Sequence, residues 1–127
     1  MIDFAVLERP KSPNTYLVAP EGLCRNATPD RVAPVFSGGP ERLRDAFLRL
    51  MRSEPNVSDG PATGDPLAYT FVAVTPLLRF KDDVDVRFLA VDGGASLAIY
   101  SRSRVGYSDL GANRKRVEAW LQALSRT

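Results

Sequence analysis

The chain has 127 residues, 44% of them hydrophobic, and a formal net charge of +2. That suffices for one domain with one core. No apolar run reaches the roughly 18–20 residues of a membrane span, and so mild a charge does not by itself argue for nucleic acid. There is no histidine and one cysteine, Cys24, which excludes a Ser-His-Asp triad, a Cys/His zinc site and an intramolecular disulfide.

Met1-Ile2-Asp3-Phe4 lacks a basic segment followed by an apolar one, so a cytoplasmic protein is expected. Residues 1–38 carry Pro10, Pro13, Pro20, Pro29 and Pro34 and little periodicity. Each proline fixes φ and removes a donor. The segment is predicted as an extended arm over the core, with one short strand near Tyr16-Leu17-Val18. Phe4, Val6, Leu7, Val35 and Phe36 are its expected apolar anchors, and Ser12-Pro13-Asn14 and Ala27-Thr28-Pro29-Asp30 are turn signals.

Gly39-Pro40-Glu41 opens a helix, since proline suits the first helical position and glutamate the positive end of the dipole. Leu43, Phe47, Leu50 and Met51 form its apolar stripe, and Pro55 ends it. Arg42, Arg44, Arg49 and Arg52 are interleaved, but without exposed aromatics among them a nucleic-acid partner is not expected. Ser58 to Pro66 reads as a polar loop. Leu67 to Thr75 is β-prone and apolar enough on both faces for a central strand. Pro76 breaks it.

Asp83 to Val91 and Leu97 to Arg104 both alternate as strands do, and a glycine pair between such runs signals a hairpin. With Gly93-Gly94 as the loop, Tyr100 faces Arg87, Arg102 faces Asp85 and Arg104 faces Asp83. One face then holds Val84, Val86, Phe88, Leu97 and Ile99, and the other holds two opposite-charge pairs, each contributing about 0.2–1 kcal/mol. After Arg104 the chain leaves the strand. Gly106 and Gly111 bracket Tyr107-Ser108-Asp109-Leu110, and Ser108 or Asp109 is placed to cap a following helix. Val117, Trp120, Leu121 and Leu124 recur at helical spacing as its buried stripe, with Asn113 at the buried edge one turn earlier. From Arg102 onward basic residues outnumber acidic ones, which suits either an anion-binding patch or a solvated helix face.

The stretch Ser101-Arg102-Ser103-Arg104-Val105-Gly106-Tyr107-Ser108-Asp109-Leu110-Gly111-Ala112-Asn113-Arg114 closely resembles the signature of the domain of unknown function 1499 family. Ser101, Ser103, Arg104, Gly106, Ser108, Asp109, Gly111, Asn113 and Arg114 fall on the family's fixed positions. Ser12-Pro13-Asn14 and Phe80-Lys81-Asp82-Asp83-Val84 are similar to two further pieces of it. The family usually has an arginine where Tyr100 stands and often a cysteine where Thr15 stands. The resemblance implies a shared fold and, because the family has no assigned activity, no particular chemistry.

The expected architecture is α+β: a small antiparallel sheet with two main helices packed on one face and a long proline-rich N-terminal arm. The boundaries are a single domain over 1–127, with the arm at 1–38 and the α+β core at 39–127. Three functions fit. A non-catalytic binding module would hold a small anionic ligand at the strand-to-helix turn, 101–114, through Ser101, Ser103, Arg104, Tyr107, Ser108, Asp109, Asn113 and Arg114, because glycine turns and helix N-termini offer free N–H groups and arginine a planar pair of donors. A protein-interaction module would use the same residues only to hold the fold. A hydrolase-like enzyme would use Asp82, Asp83, Asp109 and Tyr107 with a divalent metal. No nucleophile–base pair is visible, so the reading leans away from an enzyme, with no cofactor expected and either a small anion or a protein as partner. Exposure separates the first two: a ligand site needs Arg104, Tyr107 and Asn113 on an open cleft, and a structural role needs them buried with internal partners.

Overall fold

The computed structural model describes residues 1–127. Its elements are a single 3-10 turn over Phe4–Val6, then β1 (Thr15–Ala19), β2 (Arg31–Val32), α1 (Pro40–Ser53), β3 (Val57–Asp59), β4 (Ala68–Val74), β5 (Lys81–Val91), β6 (Gly94–Ser103) and α2 (Ala112–Leu124). The six strands form one sheet in the order β2-β1-β6-β5-β4-β3. All neighbours are antiparallel except β1 and β2.

This corrects the small antiparallel sheet expected from the sequence, while the α+β class stands. The sheet is larger and mixed because the proline-rich arm adds two strands to it. Thr15–Ala19 docks along β6, and its free edge takes Arg31–Val32 in parallel. Two residues carry no readable periodicity, so β2 left no signal. At the other edge, Val57–Asp59 pairs with β4 inside a stretch that reads as mostly loop.

The two faces of the sheet are covered differently. On one, the α1 stripe (Leu43, Phe47, Met51) and the α2 stripe (Val117, Trp120, Leu121, Leu124) meet Val84, Val86, Phe88, Leu97 and Ile99. Phe47 is the hub, with ring centroids 5.8 Å from Phe71, 5.6 Å from Phe88 and 5.9 Å from Trp120. On the other face Leu17, Ala19, Ala98 and Tyr100 are covered by Phe4 and Leu7 of the arm. Two of the expected anchors, Val6 and Val35, are exposed.

The β5–β6 hairpin has the expected faces and a different register. Val91 pairs with Gly94, so the loop is Asp92-Gly93, and Arg102 lies opposite Asp83 and Tyr100 opposite Asp85. Gly94 is taken into the strand because Phe36 of the arm bridges to Ala95, by hydrogen bonds of 2.7 and 2.8 Å. A Cβ on Gly94 would collide with the Phe36 carbonyl. The second glycine therefore serves close backbone approach, and its φ of 149° is one that side chains avoid. The expected ion pairs survive as diagonals: Arg104 Nη2 to Asp83 at 2.8 Å and Arg102 Nη1 to Asp85 at 3.2 Å.

One end of the sheet gathers the start of β1, the end of β4, the start of β5 and the end of β6. The arm up to Asn14, the loop 75–80 and the turn 104–111 therefore meet there.

Candidate functional site

The turn after β6 is held from inside. Asp109 caps α2: its carboxylate accepts from the backbone N–H of Gly111 at 2.8 Å and of Asn113 at 3.1 Å. Gly111, at φ 81°, makes the left-handed entry into the helix that this cap requires. Ser108 accepts only from Leu110 N–H, at 3.2 Å. Burial works to raise the Asp109 carboxyl, but the hydrogen bonds from the Asn113 side chain and the two backbone N–H groups outweigh it and hold it below the usual carboxylate range.

Asn113 follows on the first turn and points under the sheet, fully buried. Its amide nitrogen donates to Asp109 Oδ2 (2.7 Å), the Asn14 carbonyl (3.0 Å) and Ser103 Oγ (3.1 Å). With two hydrogens for three acceptors, one hydrogen is shared. Its carbonyl accepts from Ser101 Oγ and from Arg116 Nη1, the latter at 2.9 Å. Arg116 goes on to Asp82 Oδ2 at 2.8 Å, and Asp82 is 1% exposed. The arm closes the cluster from the other side. Asn14 donates to the Gly106 carbonyl at 2.8 Å, and its own carbonyl also accepts from Ser103 N–H at 3.0 Å. A network spanning 99 positions of sequence thus pins arm, β6, turn and α2 to one another.

The eight residues picked from the sequence divide. Ser101, Ser103, Asp109 and Asn113 come together in this network. Arg104 lies outside it, on the opposite side of β6, where Nε (3.0 Å) and Nη2 (2.8 Å) clamp Asp83. That clamp holds the Asp83 carboxyl below its ordinary value. Tyr107 is 72% exposed, outside the network. Ser108 and Arg114, with Asp109 between them in sequence, line a 610 Å³ cleft whose other wall is Arg9, Lys11, Ser12 and Thr15 of the arm. Asn14, Asp82, Arg116, Arg9 and Lys11 were not among those eight. Parity had the signal for Asp82, since it falls in step with Val84, Val86 and Phe88 on the core face. Helical spacing had it for Arg116, three residues after Asn113.

Asp82, Asp83 and Asp109 do not converge. Successive strand residues face opposite sides, so Asp82 is inside with Arg116 and Asp83 outside with Arg104, while Asp109 is spent on the cap. No three His, Cys, Asp or Glu side chains come together as a metal-binding group. Burial pushes the Cys24 thiol up, away from the thiolate. A larger groove of 890 Å³ runs between α1 and α2 beneath Arg42, Arg49 and Lys115, and it contains none of the eight candidate residues. No helix is long and apolar enough to cross a membrane.

The chain is similar to several solved structures, among them those of two proteins. Protein MLL2253 of Mesorhizobium loti is 14% identical, with a TM-score of 0.53, over 89% of this chain and 98% of that one. At this identity the likeness shows the fold alone. Protein CV1439 of Chromobacterium violaceum is 16% identical over 89% of this chain and 94% of that one, with a TM-score of 0.45. No curated protein matches. A family model described as "Protein of unknown function (DUF1499)" matches residues 6–124, the span that holds the network, the cleft and every strand, and by that match the chain belongs to the DUF1499 family.

Proposed function

We propose that the protein is a small non-catalytic binding module that takes an anionic ligand in the cleft between the arm and the start of α2. One observation carries this reading: the acids of the cleft are internally neutralised and two of its cations are not. Asp30 is held by Arg9 at 2.7 Å and by Leu17 N–H at 2.8 Å, and Asp109 is consumed by the helix cap. Lys11 on one wall and Arg114 on the other form no ion pair, and Ser108 lines the cleft beside them, whereas the Ser12 hydroxyl already donates to Asn14 Oδ1 at 2.9 Å. A planar guanidinium, an ammonium and one hydroxyl suit a phosphate, sulfate or carboxylate. In this reading the buried signature residues act as scaffold, holding the two walls at a fixed separation.

A thermal-shift titration with phosphate, sulfate and small carboxylates tests it. A ligand that binds only the folded state adds about 2.7 kcal/mol at a hundredfold excess over its Kd. The wild type is expected to gain stability with one of these anions, and Lys11→Ala/Arg114→Ala to lose that gain while melting normally without ligand. Equal shifts in both proteins, or none in either, would sink the assignment.

A further inference from the structure

Six large apolar side chains are exposed at the same end of the sheet as the cleft. Leu77, Leu78 and Phe80 belong to the loop between β4 and β5, and Val105, Tyr107 and Leu110 to the turn between β6 and α2. The two loops leave the sheet side by side. Thr75 N–H donates to the Phe80 carbonyl at 2.9 Å, closing the first, and Arg104 N–H donates to the Lys81 carbonyl at 3.3 Å, joining it to the second. Leu77 is 93% exposed and Leu110 88%, so both stand clear of the protein. Folding alone gives no reason for such a cluster.

Two further features lie in the same loops. The sequence 78–81 alternates leucine, arginine, phenylalanine, lysine, and neither Arg79 nor Lys81 has an ion-pair partner. The segment 75–81 contains no acid. The only two non-glycine residues with positive φ are Arg79 (59°) and Leu110 (53°), one in each loop. Such backbone strain persists where the surroundings enforce it and tends to mark functional loops.

From these we infer that the paired loops dock the protein on an anionic lipid bilayer, with Leu77, Leu78, Phe80 and Leu110 entering the headgroup–acyl boundary and Arg79 and Lys81 meeting acidic headgroups. Lysine interleaved with the apolar side chains is what selects a bilayer over a protein. Cores of protein interfaces are depleted of lysine, whereas at a membrane surface Lys and Arg extend toward the headgroups from beside inserted apolar groups. Tyr107, apolar with a polar tip, also suits that boundary. The inference goes beyond the anion cleft and does not depend on it.

Co-sedimentation of the full chain with phosphatidylcholine vesicles, alone and doped with phosphatidylglycerol, is the test. The wild type is expected to partition onto the doped vesicles. Arg79→Gln/Lys81→Gln should weaken that by about 25-fold, at roughly fivefold per charge, and Leu77→Asn/Leu110→Asn by about tenfold or more. All four positions are exposed, so the variants should melt as the wild type does. Lys115→Gln/Arg126→Gln removes equal charge from α2 and the segment just after it and should change little. Lys11→Ala/Arg114→Ala should keep its vesicle binding, which separates failure of this inference from failure of the cleft reading. The inference is overturned by absence of wild-type partitioning, by partitioning that the loop variants leave intact, or by equal loss in the Lys115→Gln/Arg126→Gln control. It is overturned too if the tip instead drives a dimer, seen by sedimentation and abolished by Leu77→Asn/Leu110→Asn, with no vesicle binding.

Discussion

At one end of the sheet the usual rule is reversed within a single turn of chain. Under β6 lies a buried polar cluster, Ser101, Asn113, Arg116 and Asp82, while Val105, Tyr107 and Leu110 stand in solvent a few residues away. The two regions differ in satisfaction. The buried one has a partner for every buried polar side-chain atom except Asp82 Oδ1, and polar groups are tolerated inside when they are paired this fully. The exposed one has cations and apolar side chains with nothing to meet. A network satisfied at all but one atom specifies shape, and an unsaturated surface is what remains to be used. The turn's inward side chains serve the first, and its outward side chains are left for the second.

The largest expected effect comes from breaking the buried side. Arg116→Met leaves the Asp82 carboxylate, 1% exposed, without its cation. Breaking one partner of a buried pair typically costs about 3–5 kcal/mol, whereas replacing both with apolar groups is often close to neutral. Urea unfolding of Arg116→Met should show a loss of that order, and Asp82→Leu/Arg116→Met should recover most of it. A single variant within about 1 kcal/mol of wild type would mean that the pair is not what holds the cluster. No comparable loss is expected from Tyr107→Ala, whose ring is mostly in solvent.

Why the sequence showed one region better than the other follows from how each is built. Alternation reports faces, and Val84, Val86, Phe88, Leu97 and Ile99 all lie on the predicted one. A two-residue slip in register keeps every side chain on its face, so the same pattern fitted a loop of Gly93-Gly94 and of Asp92-Gly93 equally well. What decides between them is the arm's approach to Gly94 through Phe36, a contact between residues 58 positions apart that no local rule contains. The long diagonal reach of arginine hid the slip further, because Arg102 meets Asp85 and Arg104 meets Asp83 in either register. The signature was legible as a cluster of unusual residues. Helical spacing put Asn113 at the buried edge, but its partners were not legible, since one of them is Asn14, arriving from the other end of the chain.

A smaller effect is expected from pH, and it sharpens the comparison from the buried side. The folded Asp109 carboxyl is held below its unfolded value by the Asn113 and Gly111 hydrogen bonds, despite burial. A depressed carboxylate contributes stability that is present above its unfolded pKa of about 3.9 and is lost as pH falls through the folded value. The wild type should therefore lose stability on acidification below about pH 4 more steeply than Asp109→Asn, which keeps an oxygen for the cap and has no charge to lose. The difference in slope is at most one proton, about 1.4 kcal/mol per pH unit. Parallel acid profiles for the two proteins would show that the cap, and not its charge, is what matters at the turn.

The smallest effect on stability is expected at Leu110, and there stability and use should separate. Leu110 is held at φ 53° and is 88% exposed, so it has strain without burial to offset it. Left-handed backbone costs an L-residue roughly 1–2 kcal/mol, and glycine relieves that while losing about 0.5–1 kcal/mol to its freer unfolded chain. Leu110→Gly should therefore leave the melting point unchanged or raise it slightly, by an amount within about 1 kcal/mol. If the bare tip is there to dock on a bilayer, the same variant should bind anionic vesicles less well, because the side chain that stood clear of the protein is gone. A residue whose removal helps the fold and harms an interaction is kept for the interaction. Were Leu110→Gly instead to destabilise the protein by several kcal/mol, the exposed side chain would be doing structural work, and the contrast between a nearly saturated interior and an unsaturated surface at this end of the sheet would fail.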